Sequence, residues 1–296
     1  MRTRFPEDRG LTLRMGASMG LLGLLYAAFI TVMIALQVLS VVAVVVIAAG
    51  VLAVQYWWSD RMALSAMRAR VVSAEEEPDL HALVDRLCAL ADMPKPRVAL
   101  ARTDLPNAFA TGRNDRTAVV CVTTGLVRRL DDAELEGVLA HELSHIAHRD
   151  VLVMAMAGFL GMVAGLMIRF SAFGRSSGNG YAAMAWAAAL AAAVVAYALS
   201  FLLVRALSRY REMCADRSGA VLTARPTALA SALTKVSGEL ARIPARDLRK
   251  VEALNALFFA PAVSPSSLAR LLSPHPHLER RLAQLARLEA ALNRPA

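Results

Sequence analysis

Charged side chains are absent from two long stretches of the chain, residues 15–58 and residues 181–204. One transmembrane helix needs about 20 consecutive apolar residues. The first stretch therefore predicts two spans joined near residues 34–40, and the second stretch predicts one. Residues 151–173 hold a single charge, Arg169, near their far end, where its long side chain can reach the membrane surface. This run predicts the remaining span.

The pattern divides the chain into alternating polar and apolar parts. A basic N-terminus covers residues 1–14, a transmembrane hairpin covers 15–58, and a polar part covers 59–150. A second hairpin covers 151–204, with its loop at 174–180, and a polar helical part covers 205–296. A cleaved signal peptide is disfavoured, because the first apolar run is too long for its hydrophobic region. The later runs can also be buried core helices, but their length and lack of charge favour lipid.

Composition agrees with a membrane protein and changes the meaning of the basic charge. Hydrophobic residues make up 57% of the 296 residues, and the mean hydropathy is +0.46. A net charge of +9 would suggest nucleic-acid binding in a soluble chain. Here the arginines cluster beside the predicted spans, as the positive-inside rule requires. We expect no nucleic-acid partner, and both termini and both polar parts are predicted to face the cytosol.

The cysteines have no paired spacing and are odd in number, which predicts reduced thiols and no disulfide framework. They are Cys88, Cys121 and Cys214.

The polar part between the hairpins has the pattern of a small α+β domain. Apolar residues at helical spacing predict a helix over residues 79–91. The runs 97–101 and 117–123 predict strands of a small antiparallel sheet. After the second hairpin, Pro226 suits a helix start. A terminal helix is predicted from an apolar stripe of four leucines: Leu278, Leu282, Leu285 and Leu288.

The sequence His-Glu-Leu-Ser-His begins at His141, in an amphipathic run that starts near Asp131. Residues four apart share a helix face, so His141 and His145 point the same way, as two ligands of one zinc ion must. Glu142 can act as a general base toward a water molecule. Asp131 and Glu134 have capping-box spacing. The alternative is a solvated helix face that carries two histidines by coincidence. This is disfavoured, because the whole chain has only six histidines.

A catalytic zinc ion needs a third protein ligand. The position six residues after His145 holds Val151, and His148 is too close along the chain. If the last two spans are antiparallel, Glu212 returns to the membrane face where His145 lies and can be the third ligand. Asp216, one turn later, can accept the free ring N–H of a zinc-bound histidine. Alternatively, both carboxylates pair with nearby arginines: Arg209, Arg211 or Arg217.

Five segments, in the right order, resemble the HtpX family of membrane metalloproteases, relatives of the CAAX prenyl proteases. HELSHIAHRD and SRYREMCADRSGA flank the second hairpin, and NAFATG, VTTGLV and SPHPHLERRL lie elsewhere. The resemblance implies one zinc ion per chain, bound by His141, His145 and Glu212. It also implies that Asp216 supports a histidine ligand.

The same resemblance assigns a substrate strand and a further histidine. It places His275 near the site, where this side chain can help to stabilise the oxyanion. It also implies an edge strand that pairs with the peptide backbone of the substrate. That strand is formed by Asn107, Ala108, Phe109 and Ala110.

Taken with the patterns, the resemblance predicts a mainly α membrane protein with four transmembrane helices and a cytosolic, zincin-like α+β catalytic domain. It implies a multi-pass protein of the bacterial cytoplasmic (inner) membrane that cleaves misfolded or damaged membrane proteins in quality control and the stress response. Its oligomeric state is left open. Three alternatives are disfavoured: an intramembrane site-2 type protease, a CAAX-type processing protease, and a transporter or scaffold with a structural metal.

Overall fold

A computed structural model of the chain describes residues 9–35, 40–114, 116–170, 180–242 and 276–293. Ten helices lie in these ranges: α1 (Arg9–Ala35), α2 (Ser40–Trp57), α3 (Ser59–Ala66), α4 (Pro78–Ala91), α5 (Thr124–Val127), α6 (Asp132–Ala147), α7 (Asp150–Phe170), α8 (Gly180–Thr223), α9 (Pro226–Arg242) and α10 (Leu278–Leu292). Four strands accompany them: β1 (Ala69–Val71), β2 (Arg97–Ala101), β3 (Ala108–Thr111) and β4 (Val119–Thr123).

The chain forms two compact units. We call the first the α/β unit, which comprises residues 1–11, 58–151 and 209–296. We call the second the helical unit, which comprises residues 12–57 and 152–208.

The sheet of the α/β unit has the strand order β1-β2-β4-β3. The central strands β2 and β4 are parallel, and each edge strand is antiparallel to its neighbour. The prediction of an antiparallel sheet was therefore wrong. β3 reverses the chain once between β2 and β4, and β4 then inserts between them, so that it runs parallel to β2. All five residues of β4 are buried, as is usual for a strand with parallel pairing.

Local patterns located the other elements of this unit well. The predicted helix over 79–91 is α4, which ends at a left-handed Asp92 (φ 52°). α9 begins at Pro226, and the predicted leucine stripe lies on α10, where Leu285 is fully buried in the main core. The core fills the space between one sheet face and helices α4, α6, α9 and α10, and α3 packs on the other face. The three cysteines are buried and free, as predicted.

The two longest apolar helical segments in the described part of the chain are Leu13–Met33, in the helical unit, and Ala183–Thr223, which begins there and continues past residue 208 into the α/β unit. Both are long and apolar enough to cross a membrane. Within the 18-residue apolar part of each segment, 11% and 22% of the residues are buried, whereas the core helix of a soluble protein is mostly buried. Val45–Val54 and Val153–Ile168 form shorter apolar helices, so the prediction of four spans stays a prediction.

Candidate metal centre

Helix α6 carries the two histidines and lies at the centre of the α/β unit. Its capping box is formed as predicted: Glu134 N donates to Asp131 Oδ1 (2.9 Å), and Asp131 N donates to Glu134 Oε2 (3.0 Å). The prediction of an amphipathic helix was wrong, because every residue from Glu134 to Ser144 is buried. Helices α4 and α9 and strand β3 surround it. The histidines are therefore held in a packed core.

Helix α8 approaches α6 at a glycine. A Cβ atom at Gly219 would lie 2.8 Å from His141 N and 3.1 Å from His141 Cα. Backbone atoms of a packed helix cannot move aside, so only glycine permits this approach. The close contact brings Glu212 and Asp216, two and one turns earlier on α8, to the histidine face of α6.

The side chains of His141, His145 and Glu212 meet at one point. The distance is 3.2 Å between the two Nε2 atoms, 3.7 Å from His141 Nε2 to Glu212 Oε2, and 3.6 Å from His145 Nε2 to Glu212 Oε1. Ligand atoms of a tetrahedral zinc ion, each about 2.0–2.1 Å from the metal, lie about 3.3–3.4 Å apart. The triangle therefore has the size that one zinc ion requires, and in the described part of the chain no other such group of His, Cys, Asp and Glu occurs.

Each histidine presents Nε2 to the ligand triangle because a carboxylate occupies the other ring nitrogen. His141 Nδ1 lies 2.9 Å from Asp216 Oδ1, and His145 Nδ1 lies 2.5 Å from Asp150 Oδ2. A metal-binding histidine usually donates its second N–H in this way, which fixes its tautomer and ring orientation. The donor set and its surroundings fit a zinc ion.

Sequence reasoning named Asp216, which lies beside His141 in the structure, and did not name Asp150. The sequence contained an indication of the contact between Asp150 and His145, because Asp150 follows His145 by only five residues. In the structure Asp150 is the first residue of helix α7, directly after Arg149 in a left-handed conformation (φ 54°). His148, disfavoured as a ligand, is not in the triangle, and its Nδ1 contacts Ser144 O at 2.7 Å.

Two arginines contact the carboxylates that lie beside the histidines, and sequence reasoning did not assign them this role. Arg211 Nη2 lies 2.5 Å from Asp150 Oδ2. Arg281 contacts both oxygens of Asp216 from helix α10. The alternative that Asp216 pairs with Arg209, Arg211 or Arg217 is not what the structure shows.

The charges around the site shift the protonation of its buried groups. Burial lowers the pKa of His141, which outweighs the attraction of the Asp216 carboxylate. Burial also acts to lower the pKa of His145, but the Asp150 carboxylate raises it above its ordinary value. The charges of Arg211 and His145 keep the pKa of Asp150 low, although its burial opposes them.

Glu142 is buried beside the ligands, with 4% of its surface exposed. Burial raises its pKa to about 8, while the charge of His145 and the nearby backbone N–H of Ala110 act in the opposite direction. A nearby divalent cation favours the ionised form. A carboxyl group in such surroundings can accept and return a proton near neutral pH.

Strand β3 is the sheet edge next to α6. Thr123 N donates to Asn107 O, so in this antiparallel ladder the backbones of Asn107 and Phe109 face β4, and those of Ala108 and Ala110 face outward. Three of the four predicted substrate-strand side chains are buried: Asn107, Ala108 and Phe109. The strand therefore offers backbone groups to a partner. His275 lies outside the described residues.

Comparisons with known proteins identify the family of the chain. The family model "Peptidase family M48" matches residues 74–289. Protease HtpX homolog 1 of Streptomyces coelicolor is 58% identical over 99% of this chain and 97% of its own length. The Protease HtpX homolog of Moorella thermoacetica is 50% identical over 98% of both chains. The crystal structure of S. mikatae Ste24p is similar with a TM-score of 0.54 and 16% identity, over 93% of this chain and 64% of that chain, and shows a shared fold.

Proposed function

Because this chain belongs to peptidase family M48, among relatives named Protease HtpX, we propose that it is a membrane-integrated, zinc-dependent endopeptidase. The observation that carries the proposal is the triangle of His141, His145 and Glu212, with a carboxylate at Nδ1 of each histidine. Three protein ligands leave one coordination position open, which is typical of catalytic zinc sites, whereas a structural zinc ion has four. This favours catalysis over the structural-metal alternative.

The residues of the chain divide the work of peptide hydrolysis. A bound zinc ion makes a water molecule more acidic and polarises the scissile carbonyl. Glu142 accepts the proton of the attacking water and returns it to the leaving amine. The outward backbone groups of β3 hold the substrate as an added strand. His275 is proposed to stabilise the oxyanion.

The proposed setting is a cytoplasmic membrane that the chain crosses four times, with the site on the cytosolic side. Two apolar helices whose surfaces are largely uncovered support membrane insertion. The arginines that flank the apolar runs support the orientation. The proposed substrates are misfolded or damaged membrane proteins, a role taken from the HtpX resemblance.

The test is zinc content together with casein cleavage, measured on the full-length protein in detergent. Wild type is expected to hold about one zinc ion per chain and to cleave casein. Glu212→Ala removes one ligand and is expected to lose both properties. Glu142→Ala is expected to keep zinc while cleavage falls at least about 100-fold.

An exposed glutamate on α10, Glu279, provides the matched control, and Glu279→Ala is expected to behave as wild type. Zinc retained at full occupancy in Glu212→Ala would show that the third ligand is another residue. Cleavage that survives in Glu142→Ala would exclude this residue as the general base.

A further inference from the structure

Arg281 is the most deeply buried basic side chain near the site, with 1% of its surface exposed. A buried guanidinium is unfavourable unless it is paired and hydrogen-bonded. Arg281 Nε donates to Asp216 Oδ2 at 2.7 Å, and its Nη2 donates to Asp216 Oδ1 at 2.6 Å. These two parallel bonds fix the plane of the Asp216 carboxylate as well as its position.

The Asp216 carboxylate transmits this orientation to a metal ligand. Its Oδ1 accepts from Arg281 and also lies 2.9 Å from His141 Nδ1. A carboxylate held by two bonds cannot rotate, so it presents Oδ1 to the histidine ring in one direction. The third nitrogen of the guanidinium, Nη1, lies 3.9 Å from Glu212 Oε2. Arg281 therefore acts on two of the three ligands.

The packing of α10 against the rest of the α/β unit does not require an arginine at position 281. Helix α10 is also held by Gln284, whose Nε2 donates to Met213 O at 2.6 Å, and by Leu285, which is buried in the core. An apolar side chain at position 281 would satisfy packing without the unfavourable burial of a charge. We propose that Arg281 is a positioning residue that orients His141 and Glu212 for zinc.

The other histidine supplies an internal comparison. Arg211 and His145 share one oxygen of Asp150, at 2.5 Å each. Asp150 Oδ1 and Arg211 Nε have no hydrogen-bond partner among the described residues. The contact of Arg211 is therefore a single point, which a lysine ammonium can reproduce. The two-point contact of Arg281 needs the planar guanidinium.

This inference rests on the proposed zinc site, and its test compares lysine substitutions. The zinc dissociation constant is measured by competition with a chromophoric chelator, on full-length protein in detergent. Arg281→Lys is expected to weaken zinc binding by about 10- to 100-fold, the usual range for supporting residues. Arg280→Lys, at an exposed neighbouring position on α10, is expected to bind zinc as wild type does. Arg211→Lys keeps a single-point contact with Asp150 and is expected to lose clearly less zinc affinity than Arg281→Lys.

A second measurement is the visible spectrum of the cobalt-substituted protein, which reports ligand geometry independently of activity. Arg281→Lys is expected to change the band positions, and Arg280→Lys to preserve them. At saturating zinc, Arg281→Lys is expected to lower kcat and leave KM unchanged. If Arg281→Lys does not fold, the double variant Arg281→Gln/Asp216→Asn removes both charges, and the same loss of zinc affinity is expected.

Unchanged zinc affinity and an unchanged cobalt spectrum in Arg281→Lys, or in the double variant if the single one does not fold, would overturn the proposal. An equal loss in Arg281→Lys and Arg211→Lys would also overturn it, because charge alone would then explain both effects. A wild-type protein that binds no zinc would instead refute the proposed function.

Discussion

The two units of this protein treat charge and apolar surface in opposite ways. The α/β unit buries several charged side chains, among them Glu134, His141 and Arg281. In the helical unit, among the residues whose burial is described, Ser200 is the one buried polar side chain. There the large apolar side chains lie outside instead, with Leu24 70% exposed. The comparison agrees with a first unit that folds in water and a second unit whose apolar surface is suited to lipid.

This difference explains where the chemistry lies. A charge is stable inside a protein only when partners replace its hydration, and the α/β unit provides these partners around the ligands. The helical unit has an uncovered apolar surface and needs no such network. Variants that exchange the two kinds of environment test the comparison directly.

The largest effect is expected from a charge on the outer surface of the helical unit. Leu24 lies at the centre of the apolar segment Leu13–Met33. An aspartate at the centre of a membrane helix costs about 2.5–3.5 kcal/mol, so Leu24→Asp is expected to reduce membrane insertion strongly. The measurement is the fraction of protein that stays in the membrane after alkaline extraction. The matched control is Leu90→Asp, at a 44% exposed position of the α/β unit, with an expected change within about 0.5 kcal/mol. Equal retention of both variants would contradict a lipid-facing surface.

The sequence predicted those parts of the site that depend on local spacing. The pair His141 and His145, the capping box of Asp131 and Glu134, and helix α4 all depend on contacts three or four residues apart. Strand β1 and helix α3 were missed, because three and eight residues are too few for a pattern.

Long-range contacts could not be predicted in the same way. Arg281 lies 65 residues from Asp216 along the chain, and no periodicity connects them. The insertion of β4 between β2 and β3 is likewise a matter of tertiary packing. Glu212 was found only because the apolar runs suggested antiparallel spans and because the family motif resembled this segment.

The next largest effect is expected from alanine substitutions at two glycines, one in each unit. Gly219 of the α/β unit has no room for a Cβ atom beside His141, whereas Gly23 of the helical unit has nothing within 4 Å of that position. Gly219→Ala is expected to push α8 away from α6, to destabilise the protein by about 1–3 kcal/mol and to weaken zinc binding. Gly23→Ala is expected to be neutral or slightly stabilising. The measurements are the thermal unfolding midpoint and the zinc dissociation constant in detergent. Identical behaviour of the two variants would show that the close helix contact is absent.

The smallest effect tests whether buried charge in the α/β unit depends on its partners. Glu134 is 3% exposed. Burial acts to raise its pKa, but Lys235, Ser231 and the Asp131 N–H together lower it below its ordinary value of 4.5. A lowered pKa means that the ionised form stabilises the fold above about pH 4.5 and that this contribution is lost as the pH falls through the folded-state pKa.

Glu134→Gln is therefore expected to be less stable than wild type by about 1–2 kcal/mol at pH 7, a value reduced because the Lys235 side chain is 47% exposed. The difference is expected to shrink as the pH falls below about 4.5. Unfolding midpoints of both proteins across this range provide the test, with Glu279→Gln as the exposed control. A stability difference that stays constant with pH would mean that Glu134 acts through its shape and neutral hydrogen bonds. Its charge would then not contribute to stability.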